Sequence, residues 1–460
     1  MTTPLRPVES MMESIAGWTA VGIPEEVTER ARLLLLDLLG VAAAGTHTLL
    51  SATIREHAVR HMSAGAGFPS SPLLFDGRTV SPSGAALAGG MTIDALDAHD
   101  GHRLIKGHVG CNVLPAVLSS LPTDATLGDL LAHLVLGYEL GTRAGIALHS
   151  TAADYHTSGA WGAVACAGVV GRILGLSPVQ LHEALGIAEY HGPRSQMMRV
   201  IDHPTMLKDG SGWGAMAGTS AAWLAAEGFT GSPALTVAGA DVADVWADFG
   251  EHWWTLDQYF KPQPICRWGQ PAVVAALRLV EAHGIEHTDV ASVVIRTFHE
   301  ATRLATRRPT TTEEAQYSLP FPVAAALVAG RVGPDEVSGT ALADGRILAL
   351  ADRVQLVEDV EANHQFPARR IADVTVETCD GATHTSGPVE APGDPEDPLS
   401  VDELIAKFRH YAGALEPSRR AALEALVIDG SPETPVAELR RLVDAPLDAR
   451  HGGATEEAAR

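Results

Sequence analysis

Thirty-three residues of this chain are Lys or Arg, yet only four are lysine: Lys106, Lys208, Lys261 and Lys407. The background is rich in Ala, Gly, Val and Arg, so a surviving lysine marks a place to look for a task a guanidinium cannot perform. An ammonium group is a compact point charge whose pKa falls on burial, whereas arginine stays charged and planar. Three of the four stand in motif-like surroundings, HRLIKGH, TMLKDGSGW and YFKPQPICRW, whereas Lys407, in AKFRHY, is expected on the exposed face of a helix. The densest polar cluster is Asp94-Ala-Leu-Asp97-Ala-His99-Asp100-Gly-His102-Arg103, followed by Lys106 and His108. It ends an apolar helix and enters a glycine-punctuated loop before Val113-Leu-Pro. Asp97 and Asp100 would share a face if the helix continued. A solvated helix end is the plain alternative, but so many ionisable groups between two buried segments are expensive to place without purpose. His99, His102 and His108 with Asp are also plausible metal ligands. No HExxH or comparable helical spacing accompanies them, and no metal is assigned.

His156 opens YHTSGAWGAV, with Thr157 or Ser158 a natural N-cap. There the positive end of a helix would lower the imidazole pKa and attract a carboxylate, although a lone histidine is more often a capping or packing residue. Lys208 begins KDGSGWGAMAG, where a loop with Gly210 and Gly212 feeds a helix. The segment lacks a GxxxxGK phosphate-loop signature, so nucleotide binding is not indicated. Lys261, Cys266 and Arg267 occur in FKPQPICRWGQP, where Pro262, Pro264 and Pro271 stiffen an extended segment able to aim Lys261 and Arg267. Cys266 has no obvious partner that would make it a nucleophile.

These groups must be carried by a largely helical chain. Val27, Ala31, Leu34, Leu35 and Leu38 recur at helical spacing after Pro24. Further helices are expected at Ser83–Asp97 and Leu127–Leu148, and small residues dominate 158–175 and 212–226. Near residue 270 the pattern changes. A helix at Pro271–His283 precedes the β-branched strand ASVVIRTF, a helix at Glu313–Gly330 and a short helix at Ile347–Arg353. ADVTVETCDG and THTSGPVEAP then read as a hairpin turning at Asp380-Gly381. Helices resume at Val401–Tyr411, Ser418–Ile428 and Val436–Val443, and the tail is expected to be disordered. The expected fold class is mainly α: a large all-helical domain (1–268 and 399–450) with a smaller α+β lid domain (269–398) inserted before the C-terminal helices, and a disordered tail at 451–460.

With 460 residues and 46% apolar content the chain can build sizeable cores. A net charge of -23 argues against nucleic acid or an anionic membrane surface as a partner. A small anionic substrate remains compatible if a pocket concentrates the few cations. The N-terminal stretch lacks the basic head and apolar core of a secretory signal, and no stretch combines spanning length with membrane apolarity. Cys111, Cys166, Cys266 and Cys379 show no paired spacing. A soluble cytoplasmic protein with reduced thiols is expected.

Taken in order, ALDAHDGH with GHVGCNVLPAV, AAEGFTGSPALTV, YFKPQPICRWGQPAVVAAL, EEAQYSLPFPVAAALVAGRV and GDPEDPLSVDELIAKFR resemble signatures of the MmgE/PrpD family, which includes 2-methylcitrate dehydratases and cis-aconitate decarboxylases. The resemblance covers nearly the whole chain. It implies a helical domain with an α+β lid, a homodimer, no cofactor and active-site residues at Asp97, His108, His156, Lys208 and Lys261. Asp100, His102, Lys106, Arg267 and Tyr317 are carried as substrate-binding candidates, Tyr317 because Phe321 stands where the family has a tyrosine. Family members dehydrate tricarboxylates, decarboxylate an unsaturated tricarboxylate or epimerise an imino-dicarboxylate, all of which build negative charge beside a carboxylate. The resemblance therefore implies a lyase, with a hydro-lyase acting on a small di- or tricarboxylate as the leading expectation. A decarboxylase or epimerase at the same site is the alternative. Beyond these stand a non-catalytic carboxylate-binding homologue and a metal-dependent hydrolase.

Overall fold

The computed structural model describes residues 7–447. The expected tail at 451–460 lies outside the described residues. The architecture is mainly α, with two small sheets, the smaller pairing β1 (Ser71–Pro72) with β2 (Thr79–Val80).

The centre is a stack of helices made close by small residues. Helices Gly159–Ile173 and Ser211–Ala226 pack so tightly that a Cβ on Gly218 would stand 2.3 Å from the Ala163 carbonyl oxygen. Helix Pro82–Asp94 approaches from another side, where a Cβ on Gly90 would meet Gly212 Cα at 2.6 Å. Such contacts need glycine and leave little room for movement. Helix Leu127–Thr151 begins in a Thr126/Asp129 capping box and is buried over most of its length. Helix Glu25–Gly45 is buried throughout its C-terminal half, and Val401–Tyr411 packs against it, with Phe408 lying over Gly40.

The larger sheet has the order β4-β3-β5-β6, formed by β3 (Val290–Thr297), β4 (Val354–Glu358), β5 (Ala372–Thr378) and β6 (Thr383–Val389). β4 pairs parallel to β3 with Val293 opposite Val354, and β5 pairs antiparallel to β3 with Ile295 opposite Val374. β5 and β6 form the hairpin, with Gly381 in the turn at φ 87°. Helix Gln270–His283 covers β5 and β6, and Val293, Ile295, Val374 and Val376 point into the core. One apolar core runs from Met11 to Val443 and includes both the helical stack and this sheet.

Several local expectations change. Helix Pro82–Asp94 stops before Asp97, because the Asp97 amide donates to Gln316 Oε1 at 2.7 Å instead of to a helical carbonyl. Asp97 and Asp100 therefore do not share a helical face. The expected helix from 313 to 330 is broken into Thr312–Gln316 and Pro320–Ala329, since Pro320 cannot donate to a continuing helix. β4 follows the short helix Gly345–Ala351 and was not expected. No single described helix is long and apolar enough to cross a membrane.

Candidate active site

The interrupted helix end, the loop behind it and two distant segments meet in a buried polar cluster. Asp97 is 3% exposed, and its Oδ1 accepts a hydrogen bond from Lys261 Nζ, which is fully buried. His108 Nε2 lies 3.5 Å from the same Asp97 oxygen and 3.9 Å from Asp209 Oδ2. The other ring nitrogen of His108, Nδ1, is 2.5 Å from the Asp100 carbonyl oxygen. A carbonyl only accepts, so Nδ1 carries the proton and a neutral ring presents the Nε2 lone pair to the two carboxylates. Lys208 Nζ donates to Gln316 Oε1 at 2.7 Å and lies 4.7 Å from the centre of the Tyr317 ring. Gln316 thus couples Lys208 to the Asp97 main chain, and its amide nitrogen donates to the Ala95 carbonyl at 3.0 Å.

Backbone geometry explains how Lys208 and Asp209 both turn inward. Lys208 has φ 47° and Gly210 φ 64°, and Gly210 caps the helix Ser211–Ala226. A left-handed lysine is unfavourable and persists only where its surroundings over-determine it, as they do here. Asp209 Oδ2 accepts a bond from Ser158 Oγ at 2.6 Å, while Ser158 Oγ accepts one from the His108 amide at 2.9 Å. Ser158 occupies the N-cap position of its helix but makes no side-chain cap bond, because its hydroxyl is committed to Asp209.

Burial and neighbouring charge set the protonation states. Burial pulls the Asp97 pKa up, but Lys261, His108 and Lys208 outweigh it and hold the group well below the usual carboxylate range. Lys261 is lowered, chiefly by burial, with Asp97 restoring part of its proton affinity. Burial pushes His108 down to about 4 and His99 to about 3, so both rings are neutral at pH 7. Asp209 moves the other way, pushed up by burial to about 6. His99 stands edge-on to His108 with ring centres 4.3 Å apart, and its Nε2 is 3.6 Å from Asp94 Oδ1. Neither nitrogen of His99 has a hydrogen-bond partner, and Asp209 Oδ1 is likewise unpaired. Side chains of Asp97, His99 and His108 could converge on one ion, with ligand atoms within 4.8 Å of one another. The Lys261 ammonium already occupies Asp97, so an added divalent cation would meet like charge at its own ligand.

The remaining candidates occupy different surroundings. Asp100 turns its carboxylate to the Tyr138 hydroxyl at 2.9 Å and the Gly110 amide, and burial pushes its pKa up to about 7. His156 is half-buried. Its Nδ1 is 3.0 Å from the Asp154 carbonyl and its ring centre 6.5 Å from that of His149, so its contacts lie outside the Asp97–Lys261 cluster. His102 is buried edge-on to Trp254, and Lys106 places its ammonium 4.0 Å from the centre of the Tyr155 ring. Arg267 is tied to Gln270, the Ala391 and Pro392 carbonyls and Asp394. Cys266 is buried, and burial pushes its thiol up to about 12, the opposite of an activated nucleophile. The exposed helix face expected for Lys407 is corrected by the structure. Lys407 is buried, paired with Asp37 at 2.6 Å and donating to the Ala98 carbonyl at 2.6 Å.

Sequence reasoning did not single out Asp209, Gln316 or the Lys407–Asp37 pair. Asp209 directly follows a flagged lysine in a glycine loop, a signal that was present. Gln316 carries no such mark, since an isolated glutamine 219 residues from Asp97 becomes meaningful only when the chain is folded.

The chain matches the MmgE/PrpD N-terminal domain over residues 9–249 and the MmgE/PrpD C-terminal domain over residues 264–429, and it belongs to the MmgE/PrpD family. Among curated relatives, it is 25% identical to the cis-aconitate decarboxylase-like protein oryM of Aspergillus oryzae, over 92% of this chain and 94% of that protein. It is 24% identical to the cis-aconitate decarboxylase of Aspergillus terreus, over 92% of this chain and 93% of that one. The human cis-aconitate decarboxylase is 24% identical, over 88% of each chain.

Proposed function

We propose that this protein is a lyase acting on a small polycarboxylate, and that its reaction is decarboxylation of an unsaturated tricarboxylate of the cis-aconitate kind. The observation that carries the reading is the buried Asp97–Lys261 pair with neutral His108 and Lys208 beside it. Such a set can stabilise charge developing next to a carboxylate while water is held out. The named activity of the curated relatives supports the choice of decarboxylation.

In this reading Lys208 and Lys261 hold substrate carboxylates, and Asp97 orients Lys261 and His108. The bond between carbon and one carboxylate breaks, releasing carbon dioxide, and its electron pair forms a new carbon–carbon double bond. The displaced π pair takes a proton at the carbon beside another carboxylate. His108, neutral at rest, takes up a proton from solvent at Nε2 as the polycarboxylate binds, because the added negative charge raises the proton affinity of the ring, and delivers it to that carbon. Segment 269–398, which contributes Gln316 and Tyr317, acts as the lid that closes the site.

Dehydration of a hydroxy-polycarboxylate is the second reading, favoured by Asp209. A buried carboxyl with its pKa near 6 offers a second acid, able to protonate a leaving hydroxyl. Incubation with cis-aconitate, citrate and 2-methylcitrate in deuterated buffer, followed by proton NMR, tests both. Loss of carbon with deuterium beside a carboxylate is the expected result for cis-aconitate. New vinyl signals from the hydroxy acids alone would replace decarboxylation by dehydration, and no change in any mixture would overturn the lyase reading.

A further inference from the structure

The loop from Gly101 to His108 has a second cationic end. Arg267 and Arg370 lie 4.8 Å and 5.6 Å from the centre of one tyrosine ring, Tyr259, and both are at least nine-tenths buried. Tyr259 pairs through its main chain with Gly101, at the start of the loop that ends in His108. Within the same loop, Lys106 has φ 52°, in the left-handed region that residues other than glycine adopt uncommonly.

The two arginines are not equivalent. Arg267 makes four short hydrogen bonds, and its charge is matched by Asp394 at 2.6 Å. Arg370 has only a 3.4 Å bond to the Arg103 carbonyl and a 4.0 Å approach to Asp394. Arg370 Nε has no partner, and neither does His102 Nδ1 nearby. Arg103 is matched separately by Glu396 at 2.6 Å. Arg370 and Lys106 are thus left as surplus cations in a chain whose net charge is -23. Both converge on the Arg103 carbonyl, Arg370 through Nη2 at 3.4 Å and Lys106 through its amide at 3.3 Å, and Arg370 adds to burial in lowering the proton affinity of Lys106, with Glu300 working the other way. A buried guanidinium without a close anion is costly, and its planar fork matches a carboxylate.

We propose that Arg370, with Lys106, forms a second carboxylate-binding subsite that holds the carboxylate of the substrate remote from the bond being broken. The inference rests on the reading of the site as one for polycarboxylates. The alternative is that Arg370 serves only to neutralise Asp394. Calorimetric titration with propane-1,2,3-tricarboxylate, which lacks the double bond and hydroxyl needed for reaction, separates these without turnover. Glutarate, with one carboxylate fewer, is the comparison. Wild-type protein is expected to bind the tricarboxylate at least about tenfold more tightly than glutarate. Arg370→Met should remove most of that preference, and Lys106→Met, at a half-buried position, part of it. Steady-state kinetics on whichever tricarboxylate turns over should show KM raised and kcat nearly unchanged in both variants. Should Arg370→Met fail to fold, Lys106→Met and Arg370→Lys decide the matter. Unchanged discrimination in folded variants overturns the subsite and leaves the polycarboxylate reading standing. A wild-type protein that binds neither anion overturns the reading on which the subsite rests.

Discussion

Lys261 and Lys208 are sealed among protein atoms, each within hydrogen-bond reach of a fixed acceptor. A guanidinium is longer and planar, and in these spaces it would displace Asp97 or Gln316. Lys208→Arg and Lys261→Arg are each expected to lower kcat/KM at least about tenfold, roughly 1.4 kcal/mol of transition-state stabilisation, measured by steady-state kinetics with thermal melts as a folding control. Asp100 and Asp209 make a prediction about pH. Their folded pKa values, about 7 and about 6, are above those of an unfolded chain, near 4. Between those values the native state holds protons that the unfolded state has released. The stability they contribute is therefore full below about pH 4 and is lost as pH rises toward 7. Asp100→Asn should flatten the fall in denaturant midpoint between pH 5 and pH 8, and a variant that follows the wild-type curve would refute the assignment. The lysine positions were legible because so few lysines compete with them. Asp209 is less legible, because its partners Ser158 and His108 lie far off in the sequence and meet it only in the folded chain.

At the level of elements, the helix Val401–Tyr411 supports the candidate site from behind, through Lys407. Leu404, Phe408 and Tyr411 face the helix Glu25–Gly45, and Lys407 shares that stripe. The i, i+3, i+4, i+7 spacing of those positions is visible in LIAKFRHY, so the burial of Lys407 was legible; the polar residues around it suggested a solvated face instead. Lys407 ties Asp37 to the Ala98 carbonyl, one residue from Asp97. Lys407→Met leaves Asp37 buried without its cation and should cost about 3–5 kcal/mol in denaturant titration. Adding Asp37→Asn should restore much of that stability but not kcat, because the Ala98 carbonyl still lacks its donor. Recovery of both would show that the lysine serves stability alone. The long helices and the β5–β6 hairpin were readable because periodicity and the Asp380-Gly381 turn are local signals. β4 was not, since its Val354–Glu358 stretch has only one buried side chain, Val354, and is a strand because β3 lies beside it. The end of the helix at Asp94 was likewise set from outside, by a glutamine acceptor supplied from residue 316.

For the molecule as a whole, Trp213 and Leu224 are exposed on the same face of the central helix Ser211–Ala226, with Met206 and Leu207 exposed just before it. Large apolar side chains on a helix this central are what a subunit contact would cover. We propose a homodimer through this face, and light scattering should give about twice the 48.2 kDa chain mass; Trp213→Glu should shift it toward the monomer, and a monomeric wild type at micromolar concentration would refute the proposal. The same long-range wiring bears on how the protein is made. Its polar centre draws Asp97 and His108 from the first quarter of the chain and steadies them with a lysine at position 407. Translation delivers that lysine 309 residues after Ala98, and until it emerges Asp37 and the Ala98 carbonyl wait without their partner. A nascent or truncated chain ending near residue 400 would hold every proposed reacting group without that tie, so activity would report that synthesis has passed residue 407.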